Sequence, residues 1–487
     1  MKKFVAAIVL IALLMGVMAY RANTVFPDRQ LYDVEAIPEI SVDASAVSKR
    51  LSAAIQIPTI SHDDRNNFDA PAFIAFRDLL EKEFPTVHTE AEREIVADYS
   101  LVFRIDGTNQ ALKPALFMGH IDVVPVDPAT AADWLHDPYS GDVTDGVIWG
   151  RGAIDDKLTV LALMEAMEML LASGERPART VYFAFGHDEE VGGKEGAAAI
   201  ARKFEEAGMS FEFVVDEGGV VTQDMIPGVS DPVAIIGIAE KGYVNLHLVV
   251  DADGGHSSQP PNNTAAGILA QAIVKVEENL FPADLSAMDA NFQYLAHFFP
   301  FTTRFALANQ WLFGSVVESN LLANRGTAAS IRTTTAVTML EGSSKSNILP
   351  TQASAVVNFR ILPGDTVASV KEHIETAIAD DRVRIEVAMA NEPSPVSSTE
   401  SFGFQLLQET IRGMDSQVLV APYLVQGGTD AKHFVNLSDS VYRFMMVRVN
   451  GDTMKRVHGV NEQIAVDDYV EAIQFYYALL SRLEGNG

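Results

Sequence analysis

The sequence contains no cysteine. That excludes disulfides, a thiolate nucleophile, iron–sulfur clusters and cysteine-type zinc sites, so any metal must be held by His, Asp and Glu. Basic residues are scarce as well: 36 Lys plus Arg stand against 65 Asp plus Glu, a net charge of −29 over 487 residues. A surface of that sign repels phosphate backbones and anionic headgroups, which argues against nucleic-acid binding and suits an acidic soluble enzyme. Low complexity and internal repeats are absent, which removes the array-like architecture expected of a surface adhesin. Long apolar runs are confined to one place, residues 4–19 (FVAAIVLIALLMGVMA), directly after Lys2 and Lys3.

That leader has the basic and apolar regions of an export signal. It also lies at the short edge of a membrane span, so a cleaved signal peptide ending at the small residues Val17 and Ala19 and an uncleaved anchor both fit residues 1–22. Residues 23–40 read as a linker. The body of the protein is therefore expected outside the cytoplasm: cell envelope, periplasmic or secreted, with a possible tether through residues 4–20.

What is present is a core-forming composition, 48% hydrophobic against 21% charged, with a length suited to about three structural units, or two with one assembled from separated segments. From residue 41 onward, short β-rich runs alternate with helical ones, the pattern of an α/β fold with a mainly parallel sheet. Residues 114–118 (PALFM), 180–185 (TVYFAF) and 211–215 (FEFVV) read as strands, and each runs into a polar cluster: GHID, GHDEE and DEGG. Ligands in open α/β sheets sit beyond the carboxyl ends of the strands, so these clusters are expected to converge. Leu163, Ala166, Met167, Leu170 and Leu171 keep the spacing of a buried helix face, with Ser173-Gly174 as its stop. Near Gly242 the pattern changes to an alternating strand, followed by a helix over 263–278 and a Phe- and Leu-rich segment over 280–322. A second domain over 241–352, inserted into a catalytic domain of 41–240 and 353–487, accounts for the change.

His120 ends a strand, with Asp122 two residues on and so on the same side of an extended chain. A carboxylate so placed fixes the tautomer of a metal-bound imidazole. GRGAIDDK (150–157), GHDEEVGG (186–193), VVDEGG (214–219) and VHGVNE (457–462) add further acids and a histidine at strand ends and glycine-rich turns. Together they offer the carboxylates and imidazoles that a pair of divalent ions needs.

With EVGGKEGA, GGHSSQPP, SNILP and NFRILPGD, these motifs make residues 41–483 resemble the di-zinc aminoacylase and carboxypeptidase family, metallopeptidase family M twenty. The resemblance is strongest to the branch holding carboxypeptidase S and N-fatty-acyl-amino-acid synthase/hydrolase. It implies a zinc-peptidase-like α/β catalytic domain with an inserted α+β lid of the dimerisation type, and two Zn2+ per chain. It makes Asp155 the bridging carboxylate, with Glu190 and His458 on one ion and His120 and Asp216 on the other. Asp122 would orient His120, Glu189 would be the general acid/base, and His256 of the lid would polarise the scissile carbonyl. Arg360 would hold the substrate carboxylate, and Asn347 and the GGTD turn, Gly427 to Asp430 with Gly428 and Thr429 at its centre, match substrate-pocket positions. The implied reaction is hydrolysis, by a metal-activated hydroxide, of an amide adjacent to a free carboxylate, in a short peptide or an N-acyl amino acid. A non-catalytic peptide-capturing protein is the alternative, although Glu189 would then have no purpose. The donor set would also accept cobalt or manganese; zinc is implied by the resemblance alone. A monomer and a lid-mediated homodimer both remain open. Phe298, Phe299, Phe301 and Phe305 fit an acyl channel, ordinary core or a membrane-facing patch.

Overall fold

The computed structural model describes residues 1–484, which form two compact units. The larger comprises Asp28–Ile238, Ser397–Tyr423 and Thr429–Gly487; the smaller comprises Met1–Pro27, Ala239–Val396 and Leu424–Gly428.

The larger unit is built on a mixed sheet whose centre is parallel. Strands Val181–Gly186, Ala115–His120, Phe213–Asp216 and Val441–Arg443 lie side by side in that order and run parallel. Ser100–Ile105 and Glu92–Val96 extend one edge antiparallel. Every residue of Ala115–His120 is buried, as expected of a strand in a sheet covered on both faces; such strands are apolar throughout rather than alternating. Helix Lys157–Ala172 buries almost its whole circumference and packs on that sheet and on helix Val466–Ser481. The three strands and this helix lie within a residue or two of their sequence-predicted ranges.

The smaller unit carries a four-stranded antiparallel sheet in the order Thr334–Glu341, Gln352–Ile361, Gly242–Asp251, Arg384–Asn391. Helices Ala265–Glu278 and Val367–Ile378 cover one face, burying Val244, Leu246, Leu248, Val357, Phe359 and Ile374 among others. The unit therefore continues well past the boundary expected at residue 352. Gln352–Ile361 pairs along its whole length with Gly242–Asp251, from Asp251↔Gln352 to Gly242↔Ile361. Alternation identifies a strand but not the sheet it joins.

Of residues 23–40, expected as a linker, Asn23 and Thr24 end the leader helix and residues 28–40 form a strap fixed by hydrogen bonds. The Gln30 side chain donates to the Val420 carbonyl at 2.9 Å and accepts from the Val420 amide at 2.8 Å. Gln408 and Arg412 donate to the carbonyls of Arg29 and Leu31. Polar strap residues with partners this distant are indistinguishable from a solvated linker in sequence.

Candidate active site

At the carboxyl ends of the parallel strands His120 stands level with Gly186, and Asp216 lies one step past the Phe117↔Val215 pair. The polar clusters that follow these strands meet. Asp155 faces two imidazoles: its Oδ1 lies 3.0 Å from His120 Nε2 and its Oδ2 lies 2.9 Å from His458 Nε2. Glu190 Oε2 is 3.2 Å from the same His458 nitrogen. His120, Asp155 and Glu190 each offer a ligand atom within 4.8 Å of the others.

Asp122 is fully buried and organises its neighbours. Its carboxylate accepts from Ser61 Oγ at 2.5 Å and from the amides of Glu189 and Glu190 at 3.2 and 3.1 Å, and lies 3.3 Å from His120 Nδ1. That ring nitrogen is also 3.0 Å from the Asp122 carbonyl, which leaves Nε2 free to face Asp155. Asp216 accepts from the Ala431 amide at 2.7 Å. Gly119 precedes His120 for a packing reason: a Cβ there would lie 2.8 Å from Asp156 Oδ2, the atom that accepts the His120 amide.

The electrostatics are those of a cation site. Burial opposes charge on His120, yet its contacts with Asp122 and Asp155 hold its pKa well above the ordinary histidine value. Asp155 and Glu190 raise His458 to about 10. A field that favours a proton on these rings equally favours a divalent ion between them and the carboxylates. Burial pushes the Glu189 carboxyl up, and the neighbouring carboxylates of Asp430 and Glu190 add to it. Buried oxygens without hydrogen-bond partners, Glu190 Oε1 and both carboxylate oxygens of Asp430, are costly unless something positive meets them. The residues therefore fit a metal pair chemically.

Several residues have roles that sequence reasoning did not assign. Glu462, fully buried, accepts with Oε1 from the amides of Gly152, Ile154 and Asp155 at 3.1, 2.9 and 3.2 Å, while its Oε2 meets Arg151 at 2.6 Å. It thus holds the turn that presents Asp155. Asp430 packs so closely on Gly193, at φ +67°, that any Cβ there would strike its carboxylate. Glu217 is pushed up by burial and by Asp155, Asp156, Asp216 and Glu189. The only signal in sequence was an acid within a glycine-rich turn, which a chain with 65 acids supplies repeatedly.

The residues matched to substrate binding lie mostly in the smaller unit. Gly255–His256 pairs with Ile348–Leu349, His256 opposite Ile348, and the Ser257 amide donates to the Asn347 carbonyl at 3.2 Å. The GGHSS and SNILP motifs are thus one ribbon. His256 is exposed, its Nδ1 2.8 Å from Ser258 Oγ. Arg360 stands 4.9 Å over the ring of its cross-strand neighbour Tyr243. Gly428 ends a segment of the smaller unit and Thr429 resumes the larger, where the Thr429 side chain caps the turn Asp430–His433.

The profile of Peptidase family M20/M25/M40 matches residues 116–482. Probable carboxypeptidase S-like 2 of Dictyostelium discoideum is 39% identical over 444 residues, covering 90% of this chain and 85% of that protein. The human N-fatty-acyl-amino acid synthase/hydrolase PM20D1 is 39% identical over 446 residues, covering 90% and 88%. In fold, the chain matches the M20 family metallo-carboxypeptidase Sso-CP2 from Sulfolobus solfataricus with a TM-score of 0.66 at 19% identity, covering 91% and 100%. The chain belongs to peptidase family M20/M25/M40 and is an enzyme, a hydrolase of the metallopeptidase type.

Proposed function

We propose that the protein is a zinc-dependent hydrolase of an amide bond adjacent to a free carboxylate, acting outside the cytoplasm on short peptides or N-acyl amino acids. The observation that carries this reading is Asp155, whose two oxygens each address a different imidazole, His120 and His458. His120 and Asp216 would hold one zinc, Glu190 and His458 the other, with Asp155 common to both. Bound there, two zinc ions supply a water of lowered pKa and a Lewis acid for the carbonyl oxygen.

The protein's own groups do the rest. Glu189 accepts the proton of the attacking water on its carboxylate and delivers it to the departing nitrogen; burial, which pushes its pKa up, makes the ionised form a stronger base. Asp122 keeps His120 in one tautomer and, through the amides of Glu189 and Glu190, fixes where both side chains start. His256 would donate a hydrogen bond to the developing oxyanion. Arg360 makes no ion pair with another side chain among the described residues, so its fork is available to grip a substrate carboxylate with two parallel hydrogen bonds. Helix Lys2–Thr24, which opens with Lys2 and Lys3, acts as the export signal and tether, leaving the catalytic body on the far side of the membrane.

The test is a paired panel, N-palmitoyl-phenylalanine against benzyloxycarbonyl-Gly-Leu, with and without a chelator. Chelator-sensitive cleavage of either amide, restored by zinc, is expected, and the preferred substrate assigns the acyl or the peptidyl class. Cleavage of neither, or cleavage indifferent to the chelator, would overturn the reading.

A further inference from the structure

We infer that the leader helix is retained and forms, with the helical insert of the smaller unit, a single membrane-docking surface that sinks into the outer face of the bilayer. The inference rests on the tether reading above and is independent of the hydrolytic one.

Residues 1–17 are exposed throughout, and burial begins at Met18. From there the helix is built into the protein. Met18 and Ala22 are each 1% exposed, and Ala22 and Phe26 pack in one core with Phe292, Ala296, Leu307, Ala308 and Val317. The Arg21 guanidinium donates to the Ala308 carbonyl at 3.1 and 2.9 Å, and the buried Asn309 amide donates to the Met18 carbonyl at 3.2 Å. Cleavage after Ala19 would remove Met18 from this seat. A disposable signal needs no such fit.

The protruding part, about 25 Å of helix at 1.5 Å per residue, falls short of a hydrocarbon core of about 30 Å. A short span is accommodated when flanking protein surface enters the bilayer, and the insert offers one. Trp311, Leu312, Val316 and Phe301 are exposed by 62%, 51%, 52% and 48%. Trp311 lies two residues from Asn309, which bonds the helix where it leaves the protein, and Tyr20 is 70% exposed at the same level of the helix. Trp and Tyr at such a junction match the aromatic belt of membrane interfaces.

Charge selects lipid over a polar partner. In a chain of net charge −29, neither Met1–Pro27 nor residues 290–317 contain a single Asp or Glu, while Lys2, Lys3, Arg21 and Arg304 lie within them. Asp289 and Glu318 bound the second segment, so the repulsion from anionic headgroups that the rest of the surface would produce is weakened here.

The lack of native cysteine allows one environment-sensitive thiol label per variant. Full-length Phe301→Cys, Leu312→Cys and Val316→Cys would be labelled and reconstituted in vesicles of phosphatidylcholine with a minor fraction of phosphatidylglycerol. Leu13→Cys marks the bilayer, and Glu372→Cys, on helix Val367–Ile378, marks water. Labels at 301, 312 and 316 should emit to the blue of the label at 372 and lose intensity when the lipids carry bromine, as the label at 13 does. The mass of the exported protein should include residues 1–19. Loss of those residues would overturn both tether and docking. Retention with labels at 301, 312 and 316 that ignore brominated lipid would leave the tether and overturn the docking. A blue shift that appears without lipid and grows with protein concentration would overturn it in favour of a second copy of the chain on this face.

Discussion

In the larger unit the acids are inside: Asp122, Asp156, Asp216, Asp430 and Glu462 are all at least 98% buried, clustered at the ends of parallel strands. In the smaller unit the residues matched to substrate binding lie mostly outside. His256 and Asn347 stand in solvent on a two-stranded ribbon, and its helical insert exposes Trp311 and Leu312. The contrast separates two tasks. Burying carboxylates is expensive and is tolerated where backbone amides or a cation compensate, as the amides of Glu189, Glu190 and Ala431 do for Asp122 and Asp216. Exposed side chains cost little to hold, which suits the substrate and membrane contacts proposed for them.

The contrast can be sharpened by experiment. The largest effect is expected from the larger unit: Glu189→Gln keeps the shape and removes the base, so kcat should fall by at least about a hundredfold with bound metal unchanged, as read by steady-state kinetics beside elemental analysis. Unaltered turnover would remove Glu189 from the reaction. A smaller effect should come from the other unit. Arg360→Lys retains charge but loses the paired hydrogen bonds, so KM should rise about tenfold, the equivalent of about 1.4 kcal/mol, with kcat little changed. A fall in kcat at constant KM would show that Arg360 does more than bind.

The smallest effect is on stability alone. Lys241 donates to the carbonyls of Ala329 and Arg332 at 2.8 and 2.7 Å, and burial, with the Arg360 charge adding, lowers its pKa from 10.5 to about 8. Between those values the unfolded chain holds a proton that the folded one has released, so stability should rise with pH across that window; below it the burial penalty is fully present. Lys241→Met should flatten the rise in urea midpoints measured from about pH 8 to 10.5. An unchanged slope would assign the rise to other groups.

The strand-then-cluster pattern made His120, Asp122 and Asp216 legible, because an apolar run that ends abruptly in glycine and acid marks a strand end. Helix Lys157–Ala172 was legible from its spacing. Ser61 and Glu462 were not, because each acts on residues far away in the chain: Glu462 holds a turn at Asp155, and Ser61 reaches Asp122. The extent of the smaller unit was hidden likewise, since the partner of strand Gln352–Ile361 lies a hundred residues earlier.

Local chemistry in the sequence determined the reach of the apolar leader, the order of strands and helices, and the His and carboxylate inventory available to metal. These follow from side-chain spacing and the absence of cysteine. Tertiary structure alone decided which oxygen of Asp155 meets which imidazole, and which acids lie buried. It also seated the leader on Phe292, Leu307 and Val317 and joined two distant motifs in the ribbon of His256. Each of these outcomes depends on groups brought together from remote parts of the chain, and burial and electrostatic coupling exist only after that has happened.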